Sequence, residues 1–276
     1  MSEQGLRVTV VTLSFNQRPF LERAIRSVLE QNYPVEYIVV DPGSTDGSRD
    51  LIERYRARLA HVVLEPDEGP ADGLNKAFGL ATGDAFVCVN ADDALFPGAI
   101  ASAVTALERH PNAAAVYADG YIVDGGGRPI RRYRSTSFGL RRFVFGGVNV
   151  MHQATFVRRD AFFAVGGFNA SNGTSWDGEM LVDLGLAGRE LRHVTGFWAI
   201  FSIHADSISG SGRRQSEYDL DRLRLFEKVV GHRPRKRDRT AFALARLEKW
   251  LRDPLYLVWR ITDAVRRPVT VSKLPQ

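Results

Sequence analysis

Apolar positions gather first into two short runs, Val8-Thr9-Val10-Val11-Thr12-Leu13 and Tyr37-Ile38-Val39-Val40. Both are rich in β-branched residues and stop at turn-forming residues, the pattern of strands buried on both faces of a parallel sheet. Between them Phe20, Leu21, Ala24, Ile25, Val28 and Leu29 recur at helical spacing, and Pro34 lies past the end. Pro19 suits the first turn of that helix, where a missing N–H costs no helical bond. The result is a βαβ unit with an expected right-handed crossover. The alternation continues with a helix over about 48–59, a strand at His61–Leu64 and a helix over 71–81 closed by Thr82-Gly83. A strand at Ala85–Val89, a helix at Pro97–Arg109 and a strand at Ala113–Tyr117 follow. Strands and helices alternating for some 120 residues predict an α/β fold built on a doubly wound parallel sheet.

The chain is less regular beyond that point. Gly125-Gly126-Gly127 reads as a hairpin turn, Phe156–Arg159 as a strand entering a helix at Asp160–Val165, and Asn169–Ser175 as a loop. Glu179–Ala187 reads as a helix, and from Tyr218 onward the pattern is helical, broken at Pro234 and Pro254. The basic stretch 232–239 resembles a linker.

Composition changes this picture little. With 276 residues, 44% apolar and 25% charged, the chain suits one large domain or one domain with a small appendage. Cys88, the single cysteine, lies in an apolar run and reads as a small core residue. No leader pattern and no apolar stretch of membrane-spanning length are apparent, so a cytoplasmic protein is expected. Charge says more. Residues 213–276 carry 17 Lys and Arg against 8 Asp and Glu, whereas residues 1–212 carry 20 against 24. A mildly acidic body with a basic tail argues against a nucleic-acid-binding fold and leaves the tail to be explained.

Ligands of open α/β sheets bind beyond the carboxyl ends of the strands. Three polar clusters stand there: Ser14-Phe15-Asn16, Asp41–Ser48 and Asn90-Ala91-Asp92-Asp93. The Asp41–Ser48 segment alone reads equally as a turn with helix caps, and it holds neither a dinucleotide fingerprint nor a P-loop. Adjacent carboxylates after a buried strand suit a hard divalent cation shared with substrate phosphates, or else the first turn of a helix.

In order and spacing these segments resemble glycosyltransferase family 2. The resemblance rests on Val10–Asn16, Ser27–Gln31, Val40–Ser48, Glu65–Ala77, Ala81–Asp84, Asn90–Asp93 with Pro97, Met151–Phe156, Gly166–Asn169 and Trp176–Glu179, and covers about residues 6–210. It implies a GT-A type, Rossmann-like, mostly parallel sheet with helices on both faces, followed by a C-terminal helical extension. Residues 1–120 would bind the nucleotide sugar, 121–212 the acceptor, and 213–276 would form the basic extension. The implied activity is inverting transfer from a nucleotide-diphosphate sugar, a UDP-sugar first among them, with Mn²⁺ or Mg²⁺. The acceptor would be a glycan or a lipid-linked hydroxyl.

Carried over by position, Asp41 and Asp46 would meet base and ribose, with Thr12 and Asn16 lining the same pocket and Asn75 near the phosphates. Asn90-Ala91-Asp92 stands for the family's Asp-x-Asp motif, Asp92 as metal ligand, Asn90 toward ribose or diphosphate and Asp93 as supporting carboxylate. His204 sits where relatives carry a histidine near metal and diphosphate; read alone, it is equally a structural histidine. Asp177 holds the general-base position, with Glu179 as the close alternative. Three departures stand out: Pro42 and Asn90 replace acids, and Leu74 replaces an Arg before Asn75. A nucleotidyltransferase would need a glycine-rich loop bearing Lys or Arg after the first strand, and Ser14–Arg18 has no glycine; a scaffold without activity would not need Asp92, Asp93 and Asp177 together, although Asn90 keeps that alternative open.

In the tail, Leu244, Leu247, Leu251, Leu255 and Val258 fall near one helical face. Trp250, Tyr256 and Trp259 are close by, and Arg246, Lys249, Arg252, Arg260, Arg266 and Arg267 are interspersed. Such a helix either packs on the domain or lies peripherally on an anionic membrane surface.

Overall fold

The computed structural model describes residues 5–205, 207 and 211–252. Leu255, Tyr256, Val258, Trp259 and the basic residues from Arg260 on lie outside the described residues. The nine strands described form one sheet in the order β3-β2-β1-β4-β8-β6-β9-β5, with β7 also paired to β6. They are β1 Val8–Leu13, β2 Val35–Val40, β3 His61–Val63, β4 Ala85–Cys88, β5 Ala94–Leu95, β6 Ala113–Asp124, β7 Pro129–Tyr133, β8 Thr155–Arg158 and β9 Glu190–Ile203.

The first four strands pair in parallel, as the alternation predicts. From β4 on, the sheet is mixed: β8 is antiparallel to β4 and β6, β7 to β6 and β5 to β9, while β6 and β9 run parallel. β6 crosses residue 120, so the sheet continues from the first half of the chain into the second.

Period-2 alternation decides which side chains reach which face. Val8, Val10, Val39 and Val87 pack with Leu21, Ile25 and Val28 of α1 (Arg18–Leu29) and with Ile100 and Leu107 of α4 (Ala99–Arg109). Their neighbours Val11, Ile38, Val40, Phe86 and Cys88 face the other way. There they meet Leu74, Ala77 and Phe78 of α3 (Pro70–Leu80), Phe162 of α6 (Arg159–Ala164) and Met180 and Leu184 of α7 (Trp176–Leu186). Cys88 is fully inside this second layer, where burial pushes its thiol well above its usual range. Gly83, in the Thr82-Gly83 turn, is required by space: a Cβ there would stand 2.7 Å from the Thr9 backbone nitrogen.

The helix expected over 48–59 is divided. α2 (Ser48–Arg54) ends early, and a single 3₁₀ turn at Arg56–Arg58 precedes β3, because the Ala60 N–H is drawn to the carbonyl of Tyr37 in β2 at 2.8 Å. The basic extension begins as two helices, α8 (Gln215–Val230) and α9 (Arg239–Arg252). They close over α5 (Leu140–Val144) through a cluster of Phe145, Phe226, Phe242 and Ala245. Leu244, Leu247 and Leu251 are not part of that packing; they are 59%, 47% and 72% exposed.

Candidate active site

The loops after β1, β2 and β4 are drawn together because backbone pairing continues past the strands. Ser14 N–H donates to Val40 O, Asp41 N–H to Val63 O and Ala91 N–H to Leu13 O, all within 3.0 Å. Beside these loops lies a cleft of about 1140 Å³. Its walls include Phe15, Pro42, Asp67, Asn90, Asp92, His152, Trp176, Asp177, Arg214 just before α8, Tyr218 and Arg222 of α8, and Lys249 of α9.

Of the sequence-derived candidates, Asn90, Asp92 and Asp177 line this cleft, and Thr12, Asn16, Asp46 and Asn75 serve its frame. Thr12 is buried, its hydroxyl 2.8 Å from the Tyr37 phenol. Asn16, at φ +51°, accepts the Thr45 N–H on its side chain while its own N–H meets Ser44 Oγ, bracing one loop against the next. Asp46 is exposed and accepts the N–H groups of Arg18 and Ser48, which starts α1 and α2; these hydrogen bonds outweigh the desolvation that opposes them and hold its carboxyl below the usual range. Asn75 makes a two-way pair with the Phe168 backbone, 2.7 and 2.9 Å, and so fixes the Gly166-Gly167-Phe168 turn.

Asp41 is fully buried. One oxygen accepts the N–H groups of Gly43 and Ser44 and the Arg49 guanidinium; the other, Oδ2, has no partner. Asp67 presents a similar orphan, Oδ2, at the cleft, and burial raises its carboxyl. A buried acceptor without a protein partner is costly unless a water or a ligand's N–H or O–H completes the set.

The two adjacent carboxylates after β4 have separate surroundings. Asp93 is inside: Oδ1 accepts the Ser202 N–H, and Oδ2 accepts the amides of Asn90 and Gln153, at 2.9–3.0 Å. Burial, then the charge of Asp92, push its carboxyl well above the ordinary range. Asp92 turns to the cleft, its Oδ2 3.1 Å from His204 Nε2. Burial raises its carboxyl too, against the pull of His204. Its carbonyl is anchored by Arg23 and Ser202, and the His204 ring stacks on Phe20 at 4.5 Å.

Among the described residues no three His, Cys, Asp or Glu side chains form a group that could hold a metal by themselves. Asp92 and His204 do converge, and a carboxylate oxygen with an imidazole nitrogen suits a cation whose remaining ligands are phosphate oxygens and water. The donor set fits such a metal; Asp93, with both oxygens engaged by Asn90, Gln153 and Ser202, has none left to offer as a ligand.

Asp177 and Glu179 share the first turn of α7 and diverge completely. Asp177 is 38% exposed into the cleft, Oδ1 accepting the Gly178 N–H at 2.7 Å and Oδ2 standing 4.0 Å from His152 Nδ1. Glu179 is 1% exposed and accepts from Asn169, Asn172, Arg224 and Lys228. Desolvation opposes its charge, but these donors prevail and hold its carboxyl below the usual range. Asp67, His152, Gln153, Arg23 and Ser202 were given no role by the sequence. Gln153 and His152 lie in a recognisable motif; Arg23 and Ser202 carried no signal of their own.

A sequence model described as glycosyl transferase family 2 matches residues 9–166. The chain belongs to this family. An uncharacterized glycosyltransferase of Mycobacterium tuberculosis is 30% identical over 178 residues, 63% of this family 2 chain and 67% of its own length. The putative teichuronic acid biosynthesis glycosyltransferase TuaG of Bacillus subtilis is 40% identical over 90 residues, 31% of this chain and 36% of its own. A PGL/p-HBAD biosynthesis glycosyltransferase of Mycobacterium bovis is 28% identical over 166 residues, 58% and 62%. Among solved structures, S. aureus TarS 1-349 in complex with UDP-GlcNAc superposes with a TM-score of 0.67 at 15% identity, covering 95% of this chain and 76% of that one. Mannosyltransferase PcManGT from Pyrobaculum calidifontis, in complex with GDP-Man and Mn²⁺, gives 0.64 at 20% identity, covering 96% and 77%. At these identities what the structures share with the family 2 chain is the fold, the GT-A type.

Proposed function

We propose that this family 2 enzyme transfers a sugar from a nucleoside-diphosphate sugar to an acceptor hydroxyl with inversion at the anomeric carbon. The observation that carries the reading is that Asp92 and Asp177 line one cleft. Asp41 Oδ2 and Asp67 Oδ2 would accept the N–H and O–H groups of the nucleoside, and Phe15, 57% exposed at the cleft, would offer a face to the base. Asp92 and His204 would hold Mn²⁺ or Mg²⁺, which when bound offsets charge on the departing diphosphate.

Asp177 then takes the proton of the acceptor hydroxyl as its oxygen bonds to the anomeric carbon and the bond from that carbon to the diphosphate oxygen breaks. A single displacement from the opposite side inverts the centre, so no covalent nucleophile is needed. Complexes of fold relatives with UDP-GlcNAc and with GDP-Man and Mn²⁺ support the donor class and the metal; the choice of a UDP-sugar is part of the proposal. Incubation with a panel of nucleotide sugars and Mn²⁺, with product configuration read by NMR, tests it. A product that retains the donor's anomeric configuration would contradict the single displacement.

The acceptor is proposed to be an envelope glycan or a lipid-linked glycan, in keeping with relatives named for teichuronic acid and PGL/p-HBAD biosynthesis. Leu220 and Leu223 on α8, and Leu244, Leu247 and Leu251 on α9, leave apolar side chains exposed, and Arg246 is exposed on α9 as well. These support peripheral contact with an anionic membrane, where such acceptors reside. No helix among the described residues is long and apolar enough to cross a membrane.

A further inference from the structure

His152 lines the same cleft as Asp177 and has no task in the reading above. Its backbone lies in a single 3₁₀ turn, His152–Ala154, whose next side chain, Gln153, donates to Asp93 at 2.9 Å. Neighbouring residues of one turn therefore address the carboxylate behind the metal motif and the carboxylate across the cleft. The His152 ring is fixed edge-to-face against Trp176, 4.8 Å between centroids at 90°, with Phe168 on a further side. Nδ1 faces Asp177 Oδ2 at 4.0 Å, and Nε2 is buried without a partner. The second space the ring borders is a small cavity walled by apolar side chains such as Phe162, Phe168 and Met180.

A neutral imidazole carries one N–H, and the two placements are unequal here. With the proton on Nε2, a donor is left unpaired in apolar surroundings and a bare lone pair faces a carboxylate. With the proton on Nδ1, the N–H points at the Asp177 anion and only an acceptor goes unpaired. Desolvation holds the ring's pKa below its ordinary value even against the charge of Asp177, so the neutral form prevails at neutral pH.

We propose that His152 is a positioning residue for the base: as the Nδ1–H tautomer it donates to Asp177 Oδ2 and fixes the rotation of that carboxylate. The inference rests on Asp177 being the base. Gly178 N–H already holds Oδ1, so a second donor on Oδ2 leaves the carboxylate no free rotation and turns its remaining lone pairs to the acceptor. The 4.0 Å gap is longer than a hydrogen bond, and contacts of this kind commonly close only in the substrate complex.

Two measurements test it. ¹⁵N NMR of histidine-labelled protein, with His152 assigned by its loss in His152→Phe, is expected to show the neutral Nδ1–H tautomer; the Nε2–H tautomer overturns the inference. The second is hydrolysis of whichever nucleotide sugar the enzyme accepts, with water standing in for the acceptor hydroxyl. His152→Phe is expected to lower kcat about tenfold or more, the scale of a misplaced catalytic group, with donor KM and melting temperature close to wild type. His152→Asn, whose Nδ2–H replaces the Nδ1–H, is expected to recover most of that loss. Wild-type kcat in His152→Phe, or equal loss in both variants, overturns the role. If Asp177→Asn is inactive while His152→Phe is not, the base stands and this inference falls. If Asp177→Asn turns over normally, the base assignment falls and takes the inference with it.

Discussion

Asp177 and Glu179 lie two residues apart on α7, and their surroundings assign them different work. Asp177 holds one backbone N–H and faces the cleft; Glu179 is enclosed by two asparagines, Arg224 and Lys228. Asp177→Asn is expected to slow transfer by about 10²-fold or more, with donor affinity unchanged in a binding titration. Glu179→Gln is expected to leave the chemical step intact and to cost roughly 2 kcal/mol in denaturant unfolding, discounted because Arg224 and Lys228 are partly exposed. The pH dependence follows from sign. A carboxyl whose folded pKa is depressed contributes stability above its unfolded value, about 4.3, and loses it as pH falls through the folded value. Wild type should therefore lose more stability than Glu179→Gln as pH falls below the unfolded value; parallel curves would contradict the assignment. The family motif put Asp177 first with Glu179 as its close alternative; the contrast in their surroundings was not legible, because it is made by Arg224 and Lys228 on a helix 45 and more residues away. Asp92 and Asp93 were distinguishable by motif, whereas the partners that bury Asp93, Gln153 and Ser202, come from distant segments that only the fold unites.

The elements that read clearly in the sequence are those with one dominant period. α1 keeps Leu21, Ala24, Ile25 and Val28 inward, and β1 and β2 are apolar almost throughout, so their positions followed from spacing alone. β9 did not announce itself: Arg192, His193 and Gly196 interrupt its 14 residues, and its pairing with β6 shifts register more than once. β6 likewise runs seven residues past the expected Tyr117, through the polar Asp119 and Gly120. α7 begins three residues before the expected Glu179, which brings Asp177 onto the helix itself. The extension is joined to the cleft by α8, through the Glu179 pairs and through Phe226, which is 2% exposed between Phe145 and Phe242. Phe226→Ala should cost about 3–5 kcal/mol in cooperative unfolding; a loss under about 1 kcal/mol would mean that α8 is not part of the folding unit.

At the scale of the whole molecule, strand order does what no single motif does. Placing β1 between β2 and β4 brings the loops at Ser14, Asp41 and Asp92 together at the carboxyl ends of these parallel strands, and α8 and α9 reach the same cleft. The convergence of the first three clusters was legible from the α/β alternation; the contribution of Arg214, Tyr218 and Arg222 was not, since it depends on how α8 folds back. The exposed leucines on α8 and α9 lead to an expectation for the intact protein: salt-sensitive sedimentation with anionic vesicles, weakened by charge reversal at the exposed Arg246. Equal recovery in the supernatant with anionic and neutral vesicles at low salt would remove the membrane from the account. Whether Asp92 and His204 hold a metal beside a nucleoside diphosphate is read out by calorimetric titration of UDP and GDP into wild type and Asp92→Ala, each with and without Mn²⁺. Wild type is expected to bind one of these nucleotides more tightly in Mn²⁺, and Asp92→Ala to lose that gain; equal affinity of wild type and variant in Mn²⁺ would contradict the metal site.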